Sequence, residues 1–223
     1  MSISLCMIIK DESKLLDKFL SKVSKYVDEI IIVDTGSKDN SKEISEKYTS
    51  KVFDFEWCDD FSKARNFSIS KATKEWILWL DPDEEVIGLD KIKELVKCRK
   101  SKISEHDQKC KAFLTDKSNL GYRFVQETTI NSKKYTQGIC KLFQNNKGIG
   151  FIYPIHESVR PSIIELKGNI AKSGIIVKNK GNYNLEKAEY YLKLLEKKAK
   201  MFPESSVKKE IEFIKEITKT MRN

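Results

Sequence analysis

Five apolar residues in a row, Trp76 to Leu80, stop abruptly in Asp81-Pro-Asp-Glu-Glu85. The run is too short for a helix and reads as a strand buried on both faces, as in the interior of a parallel sheet. Ile3 to Ile9 is another strand. Leu15, Leu16, Phe19, Leu20 and Val23 then recur at the spacing of one helical face. The β-branched run Glu29 to Asp34 follows, Asn40 with Glu43 resembles a capping box opening a helix through Tyr48, and Lys51 to Phe55 is a third short strand. Strand, helix, strand, helix, strand at this spacing predicts a right-handed parallel sheet of βαβ units, an α/β fold. Phe61, Ala64, Ser68 and Ala72 form a narrow helical face with Asp59 or Asp60 as N-cap.

The second half has a different rhythm. Lys111 to Thr115, Gly121 to Thr128 and Tyr135 to Phe143 read as strands of a smaller mixed sheet. From Leu185 to Met221 two amphipathic helices are broken at Pro203, with Tyr191, Leu194 and Leu195 on one face and Ile211, Ile214 and Ile217 on another. A helical hairpin packed on the sheet is the favoured reading; a lysine-supplied partner or membrane-surface helix is the alternative. The expected division is therefore 1–100, 101–182 and a C-terminal hairpin over 183–223.

The chemistry follows from where the strands end. In an open α/β sheet, ligands bind at the carboxyl ends of strands, so Asp34 and Asp81 should lie on one edge. Asp81 and Asp83 flank a residue of fixed φ, and such hard oxygen ligands suit Mg²⁺ or Mn²⁺ completed by water and a substrate phosphate. The competing reading makes Asp83, Glu84 and Glu85 an acidic first turn for a helix near Leu89 to Lys97. Thr35-Gly-Ser-Lys-Asp-Asn40 is rich in turn formers whose backbone donors could face a nucleotide. Arg65 projects near the start of its helix, where it could hold phosphate oxygens; a salt bridge to Asp60 or Glu56 is the blander alternative.

Composition narrows the class. The 223 residues are 39% hydrophobic, enough for one good core. No apolar run approaches the roughly 20 residues that span a bilayer, and the first residues read as a strand rather than a leader. Cys6, Cys58, Cys98, Cys110 and Cys140 are odd in number with no C-x-x-C pair, which argues against a disulfide framework and a zinc site and points to reduced thiols in the cytoplasm. The net charge of +9 is mostly lysine. It favours anionic partners, including a peripheral contact at the inner membrane face; a homodimer is a separate expectation that the charge does not address. No arginine-rich patch interleaved with aromatics accompanies it, so nucleic acid ranks low.

Ser4-Leu-Cys-Met-Ile-Ile-Lys-Asp-Glu12, Val33-Asp-Thr-Gly-Ser37, Phe55-Glu-Trp-Cys-Asp-Asp-Phe-Ser-Lys-Ala-Arg-Asn66 and Trp79-Leu-Asp-Pro-Asp-Glu84 occur in order. Together they resemble the bacterial branch of glycosyltransferase family 2, whose members carry SLCMIVKNE, VDTGSTD, FSAARN and LDADE. The resemblance implies a GT-A fold, a nucleotide-sugar donor (usually a UDP-sugar) and a divalent ion, Mn²⁺ or Mg²⁺, on the D-x-D. It places Ile9, Glu12, Asp34, Gly36, Arg65 and Asp81 at the donor, and Asp83 with Asp81 at the metal. Lys141-Leu-Phe-Gln144 and Ile155-His-Glu157 resemble later segments, with Lys141 and Gln144 where the family has arginines. Glu157 becomes the candidate general base, and His156 its orienting partner or a ligand to metal or diphosphate. Asn179 stands where the family often has a further histidine.

The expected function is metal-dependent transfer of a sugar to a saccharide, lipid-linked or peptide acceptor with inversion. A nucleotide-sugar-binding module with impaired catalysis is the alternative. A nucleotidyltransferase would want a glycine-rich, arginine-bearing loop after the first strand, and Lys10-Asp-Glu-Ser13 supplies none.

Overall fold

The structure is a computed structural model and describes residues 1–97, 119–130, 133–180, 184–203 and 207–222. The strands are β1 (Ile3–Ile9), β2 (Glu29–Asp34), β3 (Val52–Asp54), β4 (Trp76–Trp79), β5 (Glu85–Ile87), β6 (Asn119–Ile130), β7 (Lys133–Gln144) and β8 (Asn169–Lys180). They form an eight-stranded sheet in the order β3-β2-β1-β4-β7-β6-β8-β5. The helices are α1 (Ser13–Val23), α2 (Ser41–Glu46), α3 (Phe61–Ser70), α4 (Ile92–Lys97), α5 (Arg160–Glu165), α6 (Leu185–Met201) and α7 (Val207–Arg222).

β1, β2, β3 and β4 are mutually parallel, as the βαβ spacing predicts. β4 is an interior strand with all four side chains buried, alternately on two faces. Trp76 and Leu78 join a core covered by α1 and α4, whereas Ile77 and Trp79 join another with Ile69 near the end of α3 and Ile163 of α5. Helices therefore cover both sides, the arrangement that requires an unbroken apolar strand.

The strands of the second half do not stand apart. β7 pairs antiparallel with β4, carrying β6 and β8 onto the same sheet, because β4 has a free edge that matches an apolar segment, Leu142 and Phe143. Leu142 lies opposite Leu78, so the earlier residues of β7 run past the carboxyl end of β4, and β6 and β8 overhang that rim with it.

Several local expectations change. Leu15 is 42% exposed, the one member of its helical set that misses the core. Asn40 precedes α2 without a side-chain capping bond, while Asp60 caps α3 by accepting from the Lys63 N–H at 3.2 Å. Glu85 begins β5 instead of a helix, and the helical segment starts only at Leu89. Lys111 to Thr115, Cys98 and Cys110 lie outside the described residues.

α6 and α7 form the expected hairpin. Leu194, Leu195 and Ile214 pack with Ile155 and with Phe61 of α3, which seats the hairpin against the start of α3 and the loop that carries Ile155. Among the described residues no helix is long and apolar enough to cross a membrane.

Candidate active site

The Phe61–Asn66 segment explains how the site is assembled. Asn66 clamps Phe151 in both directions, its Nδ2 donating to the Phe151 carbonyl at 2.9 Å and its Oδ1 accepting from the Phe151 N–H at 2.7 Å. The Phe61 N–H donates to the Pro154 carbonyl at 2.9 Å. The loop that carries Glu157 is thus tied to the first turns of α3, and Arg65 on the same helix reaches both Glu157 and the end of β4.

Arg65 is buried. Its Nη2 donates to both oxygens of Asp81, at 3.0 and 3.1 Å, and its Nε donates to Glu157. The expected alternatives, Asp60 and Glu56, are not its partners: Asp60 is occupied with capping α3 and with the Ser62 hydroxyl. Burial alone would lower the Arg65 pKa, but Asp81 and Glu157 more than offset it and hold the guanidinium protonated. Burial pushes the Asp81 carboxyl up, and Arg65 and Lys141 outweigh it and keep the group below its usual range. Arg65 Nη1 remains a buried donor without a partner.

Trp79 organises the cations. The Arg65 guanidinium lies 4.2 Å and the Lys141 ammonium 3.5 Å from the indole centroid, while the indole N–H donates to the Cys140 carbonyl at 2.7 Å. Lys141 gets there through a β-bulge. Tyr122 pairs with Leu142 but Arg123 pairs with Cys140, which leaves Lys141 as the extra residue and re-aims its side chain. Its ammonium meets Glu84 at 2.6 Å, both side chains being almost fully buried. Glu84 also accepts from the Asp81 N–H at 3.0 Å, so it closes the turn around Pro82. Lys141 and Gln144, which stand where the resembled family has arginines, are both engaged internally, since the Gln144 amide donates to the Asn119 carbonyl at 2.8 Å.

Asp83 projects from that turn into a cleft of about 1750 Å³ shared with Ile9, Glu12, Thr35, Arg65 and Asp81. Burial and then the Asp81 charge raise the Asp83 carboxyl. Glu12 is pushed up to about 7, first by burial and then by Asp83 and Asp81, with Lys187 at the start of α6 opposing. Glu12, Asp81 and Asp83 thus form an acidic cluster in which Arg65 and Lys141 offset the Asp81 charge while Glu12 and Asp83 stay raised. Among the described residues no group of three or more His, Cys, Asp or Glu could alone hold a metal ion. The donor set fits instead an ion bound by one or two carboxylates and completed by water and phosphate.

Other expected residues are placed differently. The register puts Asp34 beside Ile9 at the end of β1, hence on the same edge as Asp81. Its Oδ1 accepts from the Gly36 and Ser37 N–H groups at 2.8 and 2.7 Å, an Asx turn made possible by Gly36 at φ +103°. Asp34 and Gly36 shape the loop, and Thr35 between them lines the cleft. His156 lines the cleft too, but its Nδ1 lies 2.9 Å from Glu210 of α7, which also accepts from Lys198 at 3.0 Å. Glu157 is oriented by Arg65, not by His156.

Lys187 and the Lys141–Glu84 pair escaped the sequence reading. A lysine inside Cys140-Lys-Leu-Phe143 was the available signal, because a lysine within an apolar strand needs a buried counter-ion. Lys187 carried none, being one lysine among many.

The parallel βαβ half, the acidic turn at the end of its interior strand and the overhanging antiparallel strands define a GT-A glycosyltransferase fold. Solved structures agree at the level of fold. The complex of Staphylococcus aureus TarS 1-349 with UDP-GlcNAc has a TM-score of 0.56 at 16% identity, over 87% of this chain and 66% of that one. The Pyrobaculum calidifontis mannosyltransferase PcManGT with GDP-Man and Mn²⁺ has a TM-score of 0.59 at 12% identity, over 88% and 63%. Residues 4–98 match the family described as glycosyl transferase family 2. A TPR repeat-containing protein of Synechococcus elongatus is 36% identical over 165 residues, 74% of this chain. The chain spans 37% of that relative's length.

Proposed function

We propose that this cleft transfers a sugar from a nucleoside-diphosphate sugar, a UDP-sugar in the first instance, to an acceptor, with a divalent ion on the diphosphate. The observation that carries the reading is the cluster of Glu12, Asp81 and Asp83 at the carboxyl ends of parallel strands, with the Glu12 and Asp83 carboxyls raised first by burial and then by their acidic neighbours. A pyrophosphate alone would be repelled there. With a Mn²⁺ or Mg²⁺ ion between them the two become complementary, and the ion would supply charge stabilisation to the departing diphosphate. Asp83 would hold it, with Asp81 beside it.

The chain's own residues do the rest. Arg65 positions Asp81 and Glu157 with one guanidinium and keeps a spare donor, Nη1, for an anionic oxygen. Glu157 would take the proton from the acceptor as it attacks the anomeric carbon, giving inversion. UDP-GlcNAc bound to TarS, and GDP-Man with Mn²⁺ bound to PcManGT, support a nucleotide-sugar donor without choosing the base.

Asp83→Ala tests the reading. Metal-dependent turnover of UDP-sugar should fall on the order of 100-fold with an unchanged melting temperature. Wild-type rates in that variant, or rates indifferent to a chelator, would sink the metal assignment. The second reading, a binding module, is favoured by Arg65, Asp81 and Glu157 already satisfying one another. Calorimetric binding of UDP-sugar with no turnover would select it.

A further inference from the structure

The strands that overhang the rim carry polar groups the donor reading leaves unused. Gln126 of β6 is 9% exposed, and its Oε1 is a buried acceptor with no partner. The Oδ1 of Asn179, on β8, is in the same condition. Both residues line the cleft. Gln126 lies beside Val177 and Thr128 beside Asn179 in the parallel β6–β8 register, so Gln126, Thr128 and Asn179 share one face. Across the antiparallel β6–β7 register, Gln137 lies opposite Gln126 and Tyr135 opposite Thr128 on that face. The Tyr135 ring meets Phe213 of α7 edge-on, with centroids 5.8 Å apart.

We propose that this face is the acceptor subsite and that the acceptor it takes is a neutral saccharide. The inference rests on the glycosyltransferase reading of the cleft and deepens it. A carboxamide offers an acceptor and two donors without charge, the complement of a sugar's hydroxyl groups. A buried, unpartnered acceptor is costly, and the cost is removed when a ligand hydroxyl donates to it. Two such acceptors on adjacent strands call for a ligand with several donors on one ring. A cysteine thiol is a single weak donor and would leave at least one of them unpaired. The Tyr135 and Phe213 rings supply apolar surface for the C–H face of a pyranose. Because the overhang projects beyond Asp81 and Asp83, a sugar held there faces the donor from the acceptor side.

The test uses the full chain with MnCl₂ and three donors: UDP-glucose, UDP-N-acetylglucosamine and GDP-mannose. Donor binding and turnover to water by the wild type stand or fall with the proposed function alone. Methyl glucoside, methyl N-acetylglucosaminide, their monodeoxy analogues and a cysteine-containing peptide are then offered as acceptors. The expected result is transfer to at least one methyl glycoside and weaker use of a deoxy analogue, because a site built to bond a hydroxyl rejects the compound lacking it. Gln126→Met should raise the saccharide KM about tenfold with kcat little changed and flatten the deoxy discrimination. It should also raise Tm by about 2 °C, since an unpaired buried polar group has been removed. Asn179→Leu should repeat the KM effect.

Transfer to the peptide and to no glycoside would overturn the inference while leaving the donor chemistry standing. So would a Gln126→Met enzyme with unchanged acceptor KM, or one whose donor affinity falls instead, which would reassign the face to the donor's own sugar. A lowered Tm in Gln126→Met would show that the amide is satisfied in the free protein and would equally count against it.

Discussion

Arg65 and Asp81 meet through one guanidinium nitrogen and two carboxylate oxygens, at 3.0 and 3.1 Å. The same guanidinium holds Glu157 through Nε. One side chain of α3 therefore ties together the end of β4 and the loop after β7, segments far apart in sequence. Arg65→Lys keeps the charge but not the fork, and a point charge cannot serve both carboxylates in those positions. That variant should lose about 3 kcal/mol of stability, read as a lower urea midpoint with unchanged m-value. A wild-type midpoint would mean that the fork contributes nothing.

Lys141 and Glu84 form a buried pair whose members are worth little separately. Lys141→Met leaves an uncompensated carboxylate in the core and should cost about 3–5 kcal/mol. Adding Glu84→Gln, which preserves the acceptor for the Asp81 N–H, should recover most of that loss. The double-mutant cycle in chemical denaturation is the check, and additive losses would contradict a coupled pair.

Glu12 makes stability depend on pH in an unusual direction for a carboxylate. Its folded pKa of about 7 lies above its ordinary value of 4.5, so the native state binds the extra proton. The Glu12 contribution is fully present below about pH 4.5 and is lost as pH rises through about 7. In chelator, Glu12→Gln should therefore be the more stable protein above pH 7, and the difference should vanish toward pH 4.5. Melting curves across that range decide it.

The hairpin is pinned to the Glu157 loop by Glu210. Burial pushes the Glu210 carboxyl up, but hydrogen bonds from His156 and Lys198 bring it below its usual range. The resulting stabilisation is present above about pH 4.5 and lost as pH falls through the lowered folded value. Glu210→Gln should speed amide hydrogen exchange in 152–158 at neutral pH, where the wild-type contact is intact. Equal exchange in both proteins would mean that the hairpin does not brace the loop.

Much of the fold was legible because apolar periodicity is a local property. The runs Ile3 to Ile9, Glu29 to Asp34 and Trp76 to Leu80 named three parallel strands, and the rule that ligands meet strand carboxyl ends put Asp34 and Asp81 on one edge. Local spacing could not show that β7 would dock on β4 and merge the two halves into one sheet, since edge pairing depends on partners distant in the chain. The same limit explains Leu15, whose helical position was right and whose burial depended on what lay opposite.

For the site, the chain alone determined which acids end the strands, which turn carries them and which arginine lies near. Pairing was decided only in three dimensions. Arg65 chose Asp81 and Glu157 over its sequence neighbours because α3 faces the end of β4, and Asp60 was already satisfied by capping. Lys141 became a buried cation because a bulge in β7 turned it toward Trp79 and Glu84. His156, adjacent to Glu157, was drawn instead to α7. Charge pairs are set by distance and desolvation in the folded state, and neither quantity is written in the order of residues.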